Sequence, residues 1–546
     1  MRFLLSIVLI SLFCLALSCR TVDKNYVTIA SPEVFTTFDT LTTTASDSAA
    51  ERVRNLIFNT LVKKNDSFDY VGELAKDIKL SEDGKTVTFT LQDNVKFHNG
   101  KDLTSADVKY TFDEMFKANG YKAGAFYDTV VDKSAAPAKS SAANTNPANT
   151  NAAATNANTA EPKTTRVPHI VSLETPDPKT VVITVAKPSL RHQLLSNLVT
   201  IPIIPEGSIA EQKDHPVGTG PFKFVSFDKS QNIVEFAANE NYWDGAPKVK
   251  KLRVKTVQDA NSLQAELQTG GVDIAPLPSN LPPDALKSLG SVPNLKVDQF
   301  DGSNIQYIVF NAQSPPLDKV KVRQAIGYAI DREKIINELL LGQAKVANSI
   351  LPESSWAYTP GTKYTYNPAK AKQLLQEAGY KGEPIVFKYG SANVAVNNYA
   401  QAVQSSLTAV GLNVQIETME VNVLRKQLAQ GQFQMYTGIW IGGNQDPIFL
   451  RDLFTTDKIP GQFVNCCNRS RYSNAQVDKL LQDAIDTTDQ AQAKDLYGKA
   501  WNIISDELPL LPLWYPANMV VSNKRIGNIK INASGDWSFV KDITVQ

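Results

Sequence analysis

From about residue 305 the chain keeps changing period, and that alternation limits it to a layered fold. Val322, Ile326, Ala329 and Ile330 fall at i, i+4, i+7 and i+8, one face of a helix. Asp331 then stands as the N-cap of a second helix, expected to close near Gly342. Asn367-Pro368 is an N-cap followed by proline in the first turn, and Gly379 ends that helix after Leu374, Leu375 and Ala378. Ser473 reads as the cap of another, with Val477, Leu480, Leu481, Ala484 and Ile485 facing inward. Between these helices stand apolar runs of strand length at 385–389, 414–418 and 434–439. Strands alternating with capped amphipathic helices stack helices on a sheet, so this half is α/β.

The first half is richer in strands. Residues 85–91 alternate Val87, Phe89 and Leu91 on one face, behind an Asp83-Gly84 turn. Thr104-Ser-Ala-Asp107 is a capping box opening a helix through Val108, Phe112, Met115 and Phe116. Residues 169–174 and 180–185 read as a strand pair around Pro176-Asp-Pro178, and a second group follows at 222–227, 233–236 and 249–256. Residues 134–166 stand apart: Ala, Asn, Thr and Pro dominate, with no aromatic, Leu or Ile. Such a segment cannot bury enough apolar surface to offset its ordering entropy. It is expected to be a disordered surface insertion that interrupts a domain, since both flanks read as structure. A chain of 546 residues is too long for one core. At roughly 100–200 residues per domain it holds several units or two large lobes.

Met1-Arg2 followed by the apolar stretch 3–17 is a secretory signal, and beyond residue 18 no run is long enough to cross a bilayer. Leu15-Ala-Leu-Ser-Cys19 is similar to a bacterial lipobox. Residues 1–18 are then removed, Cys19 carries lipid, and 19–26 form a tether outside the cytoplasmic membrane. The alternative is cleavage near Ser18 with Cys19 incidental. Expected locations are the periplasm or the cell surface. Cys466 and Cys467 are the only thiols left in the body. Adjacent Cα atoms, about 3.8 Å apart, lie below the usual disulfide range of about 4.4–6.8 Å. A vicinal ring, an intermolecular bridge and two buried thiols all remain open.

Lys and Arg number 56 against 55 Asp and Glu, which removes the electrostatic footprint of a nucleic-acid binder. There is no His-Glu-x-x-His, no Gly-x-Ser-x-Gly and no phosphate loop ending in Gly-Lys-Ser/Thr. Gly218-Thr-Gly220 runs into Pro221, which denies the helix start of a dinucleotide loop. The four histidines are scattered, and His98 reads as a turn residue. No metal, no cofactor and no enzymatic activity are expected, and the chain is expected to be a monomer.

Four blocks in order carry a resemblance. They are residues 81–100 with Asp107-Val-Lys-Tyr-Thr-Phe112; Pro216-Val-Gly-Thr-Gly-Pro-Phe222 with Asn239-Glu-Asn-Tyr-Trp-Asp-Gly245; Asn311 through Val322-Arg-Gln-Ala-Ile-Gly-Tyr-Ala-Ile-Asp331; and residues 367–379. They resemble the bacterial extracellular solute-binding proteins of family 5, the peptide- and nickel-type receptors of ABC importers. Within these blocks Gly218 and Gly220 suit a tight reversal, Arg323 suits structural hydrogen bonds and Trp243 suits packing. The resemblance implies a two-lobed α/β periplasmic-binding-protein fold of type II, in the large cluster with an extra subdomain in lobe 1. Its hinge closes over ligand. Lobe 1 would span 27–300, with the subdomain at about 66–204; lobe 2 would span 301–510, and 511–546 would return to lobe 1.

The resemblance also implies a function: capture of peptides or peptide-like solutes in an interlobe cleft and delivery to the transmembrane subunits of an ABC permease. In peptide receptors of this family a Trp is followed three residues later by an Asp that meets the ligand's amino group, shortly before an Asp-Pro pair. Here the stretch is Trp440-Ile-Gly-Gly-Asn-Gln-Asp-Pro447, with Gly443 in the place of the anchoring acid. That departure points to a ligand whose amino end is not held in the usual way: a capped peptide, a sugar or another polar solute. Asp39 is a candidate substitute acid. Trp440 is the leading ligand contact, Ile441, Gly442, Gly443 and Asn444 supply cleft backbone, and Tyr307 and Asn311 are secondary candidates. Two other classes are weighed beside this: a ligand sensor or chaperone without a permease, and a secreted hydrolase, for which the sequence offers no nucleophile. Clustered nickel ligands are not found.

Overall fold

The computed structural model describes residues 25–45, 47–131, 164–390, 394–442, 445–461 and 467–546. Two large sheets organise the molecule. The first has seven strands, in the spatial order Phe222–Asp228, Ile233–Ala238, Lys251–Thr256, Val27–Ser31, Ile274–Pro276, Asn518–Asn523 and Leu295–Phe300. The second has six: Ala344–Val346, Leu510–Pro516, Ile305–Phe310, Met435–Trp440, Pro384–Gly390 and Asn413–Met419. The continuous apolar run of Ile305–Phe310 is buried at every position. Its Ile308 and Phe310 enter one core cluster while Ile305, Tyr307 and Val309 enter another. A strand covered on both faces needs no alternation, which is why this one reads as unbroken hydrophobe.

A four-stranded sheet stands beside the seven-stranded one, ordered Ala75–Leu80, Thr86–Leu91, Thr180–Val185 and Ile170–Asp177. Here alternation does hold: Val87, Phe89 and Leu91 point inward with Val181, Ile183 and Val185, and all six are buried. Helix Ser105–Ala118 packs against it and opens with the expected box, the Thr104 N–H donating to Asp107 Oδ2 at 2.9 Å. The low-complexity segment is shorter at its far end than its composition suggests. Residues 164–166 belong to strand Thr164–Pro168, which pairs with Tyr127–Val131, and Arg166 lies 4.3 Å over the Tyr127 ring. The rest of the expected insertion, the signal segment and Cys19 lie outside the described residues.

Two passages join the sheets. Residues 301–304 connect Leu295–Phe300 to Ile305–Phe310, and the chain returns at Ala517 between Leu510–Pro516 and Asn518–Asn523. The expected crossover after Leu510 therefore lies further on, because Leu510–Pro516 pairs with Ile305–Phe310 inside the six-stranded sheet. The two passages touch. A Cβ on Gly302 would fall 2.0 Å from the Pro516 carbonyl oxygen, so only glycine fits there. The Asn518 amide also donates to the Asp301 carbonyl at 3.1 Å, and the Ser303 N–H donates to Ala533 O at 2.9 Å.

Local expectations fare differently from one residue to the next. Gly218 and Gly220 serve a close approach instead of a reversal, since added Cβ atoms would lie 2.2 Å from Ile57 O and 2.4 Å from Ile57 C. His98 locks this strap: its N–H donates to Gly218 O, and its Nε2 lies 3.0 Å from Gly220 O. Burial pushes its pKa down to about 4. Arg323 is spent on the carbonyls of Leu317, Glu507 and Leu508. Trp243 packs against the lobe-1 core and donates to Asn59 Oδ1 at 3.1 Å. The cap of helix Ala475–Asp486 is Asn474, whose Oδ1 accepts from Gln476 and Val477, while Ser473 bonds to Thr456. The helix after Asp331 stops at Glu338, short of Gly342.

Candidate ligand cleft

The strand directions locate a crevice. Val27–Ser31 runs parallel to Lys251–Thr256 and Ile274–Pro276, so Ser31, Thr256 and Pro276 end at one edge of the seven-stranded sheet. The pairings through Asn518–Asn523 bring Phe300 to the same edge. In the second sheet Ile305 pairs with Trp440, and Pro384–Gly390 runs parallel to Met435–Trp440. The short link 301–304 therefore sets the carboxyl edge of one sheet against that of the other, where open α/β sheets bind their ligands.

Trp440 closes its strand at this edge. Its indole is half-buried, 6.1 Å from the Tyr307 ring and 4.8 Å from that of Phe449. Its Nε1 is buried, with no hydrogen-bond partner among the described residues. Beneath it lies a void of about 20 Å³, room for about one water, walled by Tyr307, Tyr436, Leu453, Cys467 and Arg469. Cys467 is disulfide-bonded, which removes the reading of two buried thiols. Ile441, an apolar side chain at the mouth, is 74% exposed among the described residues. Gly442 takes a left-handed turn at φ +74° and its N–H donates to Asn304 Oδ1 at 3.3 Å. Gly443 and Asn444 lie outside the described residues.

The other candidates separate. Tyr307 is 4% exposed and stands between Tyr436 and Trp440, and burial raises its hydroxyl pKa far above the ordinary value. It supports Trp440 from below. Asn311 sits at the opposite end of the same strand, where its amide donates to Gly431 O and Phe433 O and accepts from the Gln313 N–H. It holds a turn and is not brought to Trp440. Asp39, on the lobe-1 loop after Val27–Ser31, accepts from the Leu41 and Thr42 N–H groups at 2.8 and 2.9 Å and from the Thr42 hydroxyl. Its oxygens are committed to its own turn.

Residues that the sequence did not single out complete the junction. Gln445 donates to Ser303 Oγ at 2.9 Å and accepts from Lys64 Nζ at 3.3 Å. Asp446 is 7% exposed; its Oδ1 accepts from the Ile448 N–H at 3.0 Å and its Oδ2 from the Tyr70 hydroxyl. Lys64 and Tyr70 sit on the lobe-1 hairpin Val62–Lys64 and Tyr70–Gly72. Burial lowers the Lys64 pKa, partly offset by Asp446; burial and then Asp446 raise that of Tyr70. Around them the Trp356 N–H donates to Ser67 O at 3.1 Å, Gln490 donates to Asp69 at 2.6 Å, and Arg191 donates to Thr487 O. The only sequence signal for this seam was the Asp446-Pro447 pair.

The sequence profile of the bacterial extracellular solute-binding proteins, family 5 Middle, matches residues 69–461. The chain belongs to that family. It is 28% identical over 536 residues to di/tripeptide-binding protein 1 of Pseudomonas aeruginosa, covering 93% of this chain and 92% of that one. It is 28% identical over 496 residues to heme-binding protein A of Haemophilus influenzae, covering 86% and 83%. Among solved structures, HbpA2 from Haemophilus parasuis superposes with a TM-score of 0.75 at 24% identity over 95% of this chain and 99% of that one. CtaP from Listeria monocytogenes gives 0.76 at 21% over 95% and 99%. These likenesses show the fold. As a family 5 solute-binding protein the molecule has the two-lobed α/β architecture, and proteins of this family bind solutes for ABC permeases and are not enzymes. Among the described residues no helix is long and apolar enough to cross a membrane.

Proposed function

We propose that this family 5 protein is the extracytoplasmic substrate-binding subunit of an ABC importer and captures peptides or peptide-like solutes between its lobes, without turning them over. The observation that carries the reading is the end of strand Met435–Trp440: a half-buried indole followed by an outward Ile441, set at the edge where the two sheets meet. The relatives named for dipeptides and di/tripeptides support the same ligand class. The indole face suits stacking against a planar amide or an apolar side chain. Lobe 1 comprises residues 27–300 and 517–546 and lobe 2 residues 301–516. The subunit works as a monomer, tethered outside the cytoplasmic membrane by lipid on Cys19, and hands its solute to the permease.

Gly443 and Asp39 favour a second reading within the same site. With no acid at 443 and the Asp39 carboxylate already holding its own turn, an α-ammonium, which is costly to bury unpaired, lacks the family's usual partner. The ligand is then a peptide with a blocked amino end or a non-peptide polar solute.

Native mass spectrometry of residues 20–546, exported and purified without refolding, separates these readings. A family of co-purified peptide masses supports the first, and a single non-peptide mass supports the second. If the cleft is empty, a thermal-shift screen follows, in which a true ligand at 100 times its Kd adds about 2.7 kcal/mol. Failure of every peptide, free or capped, overturns the peptide reading.

A further inference from the structure

We propose that Tyr70 of lobe 1 is a positioning residue for Trp440 of lobe 2, acting through Asp446 and Phe449, with Lys64 as its auxiliary. The inference rests on the reading of Trp440 as a ligand contact, but the contacts that carry it stand without that reading. The Tyr70 hydroxyl donates to Asp446 Oδ2 across the lobe junction, between residues 376 apart in sequence. The other oxygen of the same carboxylate accepts from the Ile448 N–H, and the Asp446 carbonyl accepts from the Phe449 N–H at 3.1 Å. Those two amides open helix Phe449–Phe454. Phe449 is its first residue, and its ring lies 4.8 Å from the Trp440 indole, tilted by 48°. Every step is a hydrogen bond or a ring contact, so the indole's seat is fixed by a group on the opposite lobe.

Lys64 makes the neighbouring tie. Its ammonium donates to Gln445 and lies 5.8 Å over the Tyr70 ring, and Gln445 donates onward to Ser303 in the interlobe passage. Energetics argue that the arrangement serves geometry more than stability. A lysine, a carboxylate and a phenol withdrawn from water are a poor source of folding free energy, and well-packed apolar side chains hold two surfaces together at lower cost. What a satisfied polar network supplies is one allowed arrangement. Here that arrangement fixes where Gln445 and Asp446 sit against lobe 1.

The full chain with Tyr70→Phe tests this first in the absence of ligand, by hydrogen–deuterium exchange. Removing one hydrogen bond to a buried carboxylate should raise exchange at Ile448 and Phe449 about 10-fold, and Lys64→Met should raise it less. Exchange in strand Met435–Trp440 should stay as in the parent. Unchanged exchange at Ile448 and Phe449 in Tyr70→Phe overturns the proposal whatever the ligand is. The second readout is the Kd for trialanine and N-acetyl-trialanine, measured by calorimetry. For whichever probe binds the parent, Tyr70→Phe should weaken binding about 10-fold while the melting temperature moves by no more than a few degrees. A lowered melting temperature with unchanged Kd assigns Tyr70 a purely structural role and also overturns it. If neither probe binds the parent, the peptide reading is at fault, and the exchange result alone decides the positioning role.

Discussion

The two walls of the cleft are secured in opposite ways. On lobe 1 the loop after Val27–Ser31 satisfies its polar groups within its own lobe: Asp39 binds Leu41 and Thr42, the Thr36 N–H donates to Asp47 at 3.1 Å, Glu33 grips Arg52 at 2.7 and 2.8 Å, and the Phe35 N–H donates to Asn232 at 3.2 Å. On lobe 2 the chain beyond Trp440 is tied to the passage between the sheets and to lobe 1: Gly442 to Asn304 and Gln445 to Ser303 in the passage, Gln445 to Lys64 and Asp446 to Tyr70 of lobe 1. The first wall is set by contacts within lobe 1. The second is completed by the meeting of the lobes; on the proposed reading, ligand binding there and closure would share one set of contacts.

The strongest blow to that contrast is Asp446→Ala. It strands the buried Tyr70 hydroxyl and removes the charge opposite Lys64, and it should cost about 3 kcal/mol in urea unfolding together with most of the ligand affinity. Trp440→Ala should cost somewhat less, about 2–3 kcal/mol, since loss of the half-buried indole removes its ring contacts with Tyr307 and Phe449. It should also weaken ligand binding at least 10-fold by calorimetry. A stability loss with intact binding would remove Trp440 from the cleft.

Acid should act next. Burial, with the Arg191 charge adding to it, pushes the His192 pKa down to about 4, whereas an unfolded histidine titrates near 6.5. The unfolded chain then takes up the proton first. Stability is full above about pH 6.5 and falls as pH drops from there through 4, by about 2 kcal/mol at pH 4.5 for this group. His98 behaves in the same direction within lobe 1. Urea melts at pH 7 and 4.5 should show a shallower acid loss in His192→Gln, and an unchanged slope would contradict the assignment. The smallest effect belongs to the self-contained wall. Asp39→Ala removes a turn cap for about 1 kcal/mol and should leave ligand affinity within about 3-fold. A collapse of affinity would show that the lobe-1 wall also depends on the ligand or on lobe 2.

Most of the architecture was legible because it is local. Val87, Phe89 and Leu91 announce their strand by alternation, Thr104 to Asp107 announce a helix start, and Asn367-Pro368 announces another. Errors crept in where two residues could do the same job, as with Ser473 and Asn474, or where chain chemistry is neutral, as at 164–166. The junction was mostly illegible. Tyr70 and Asp446 are 376 positions apart and share no period, and a hydroxyl facing a carboxylate has no sequence signature. Gly302, Gly218 and Gly220 likewise show nothing in the sequence of what approaches them. Asn311 shows the converse: it lies just past the far end of strand Ile305–Phe310, away from Trp440.

The contact between Gly302 and Pro516 reaches beyond packing. Two connectors that stood apart would let one half of the molecule slide, twist and tilt against the other independently. Pressed together with no room for a methyl group, and cross-tied from Asn518 to Asp301, they behave as a single ribbon. Such a ribbon bends readily about one line and resists every other displacement. Opening of the lobes is then a swing about that line, with little slide or twist.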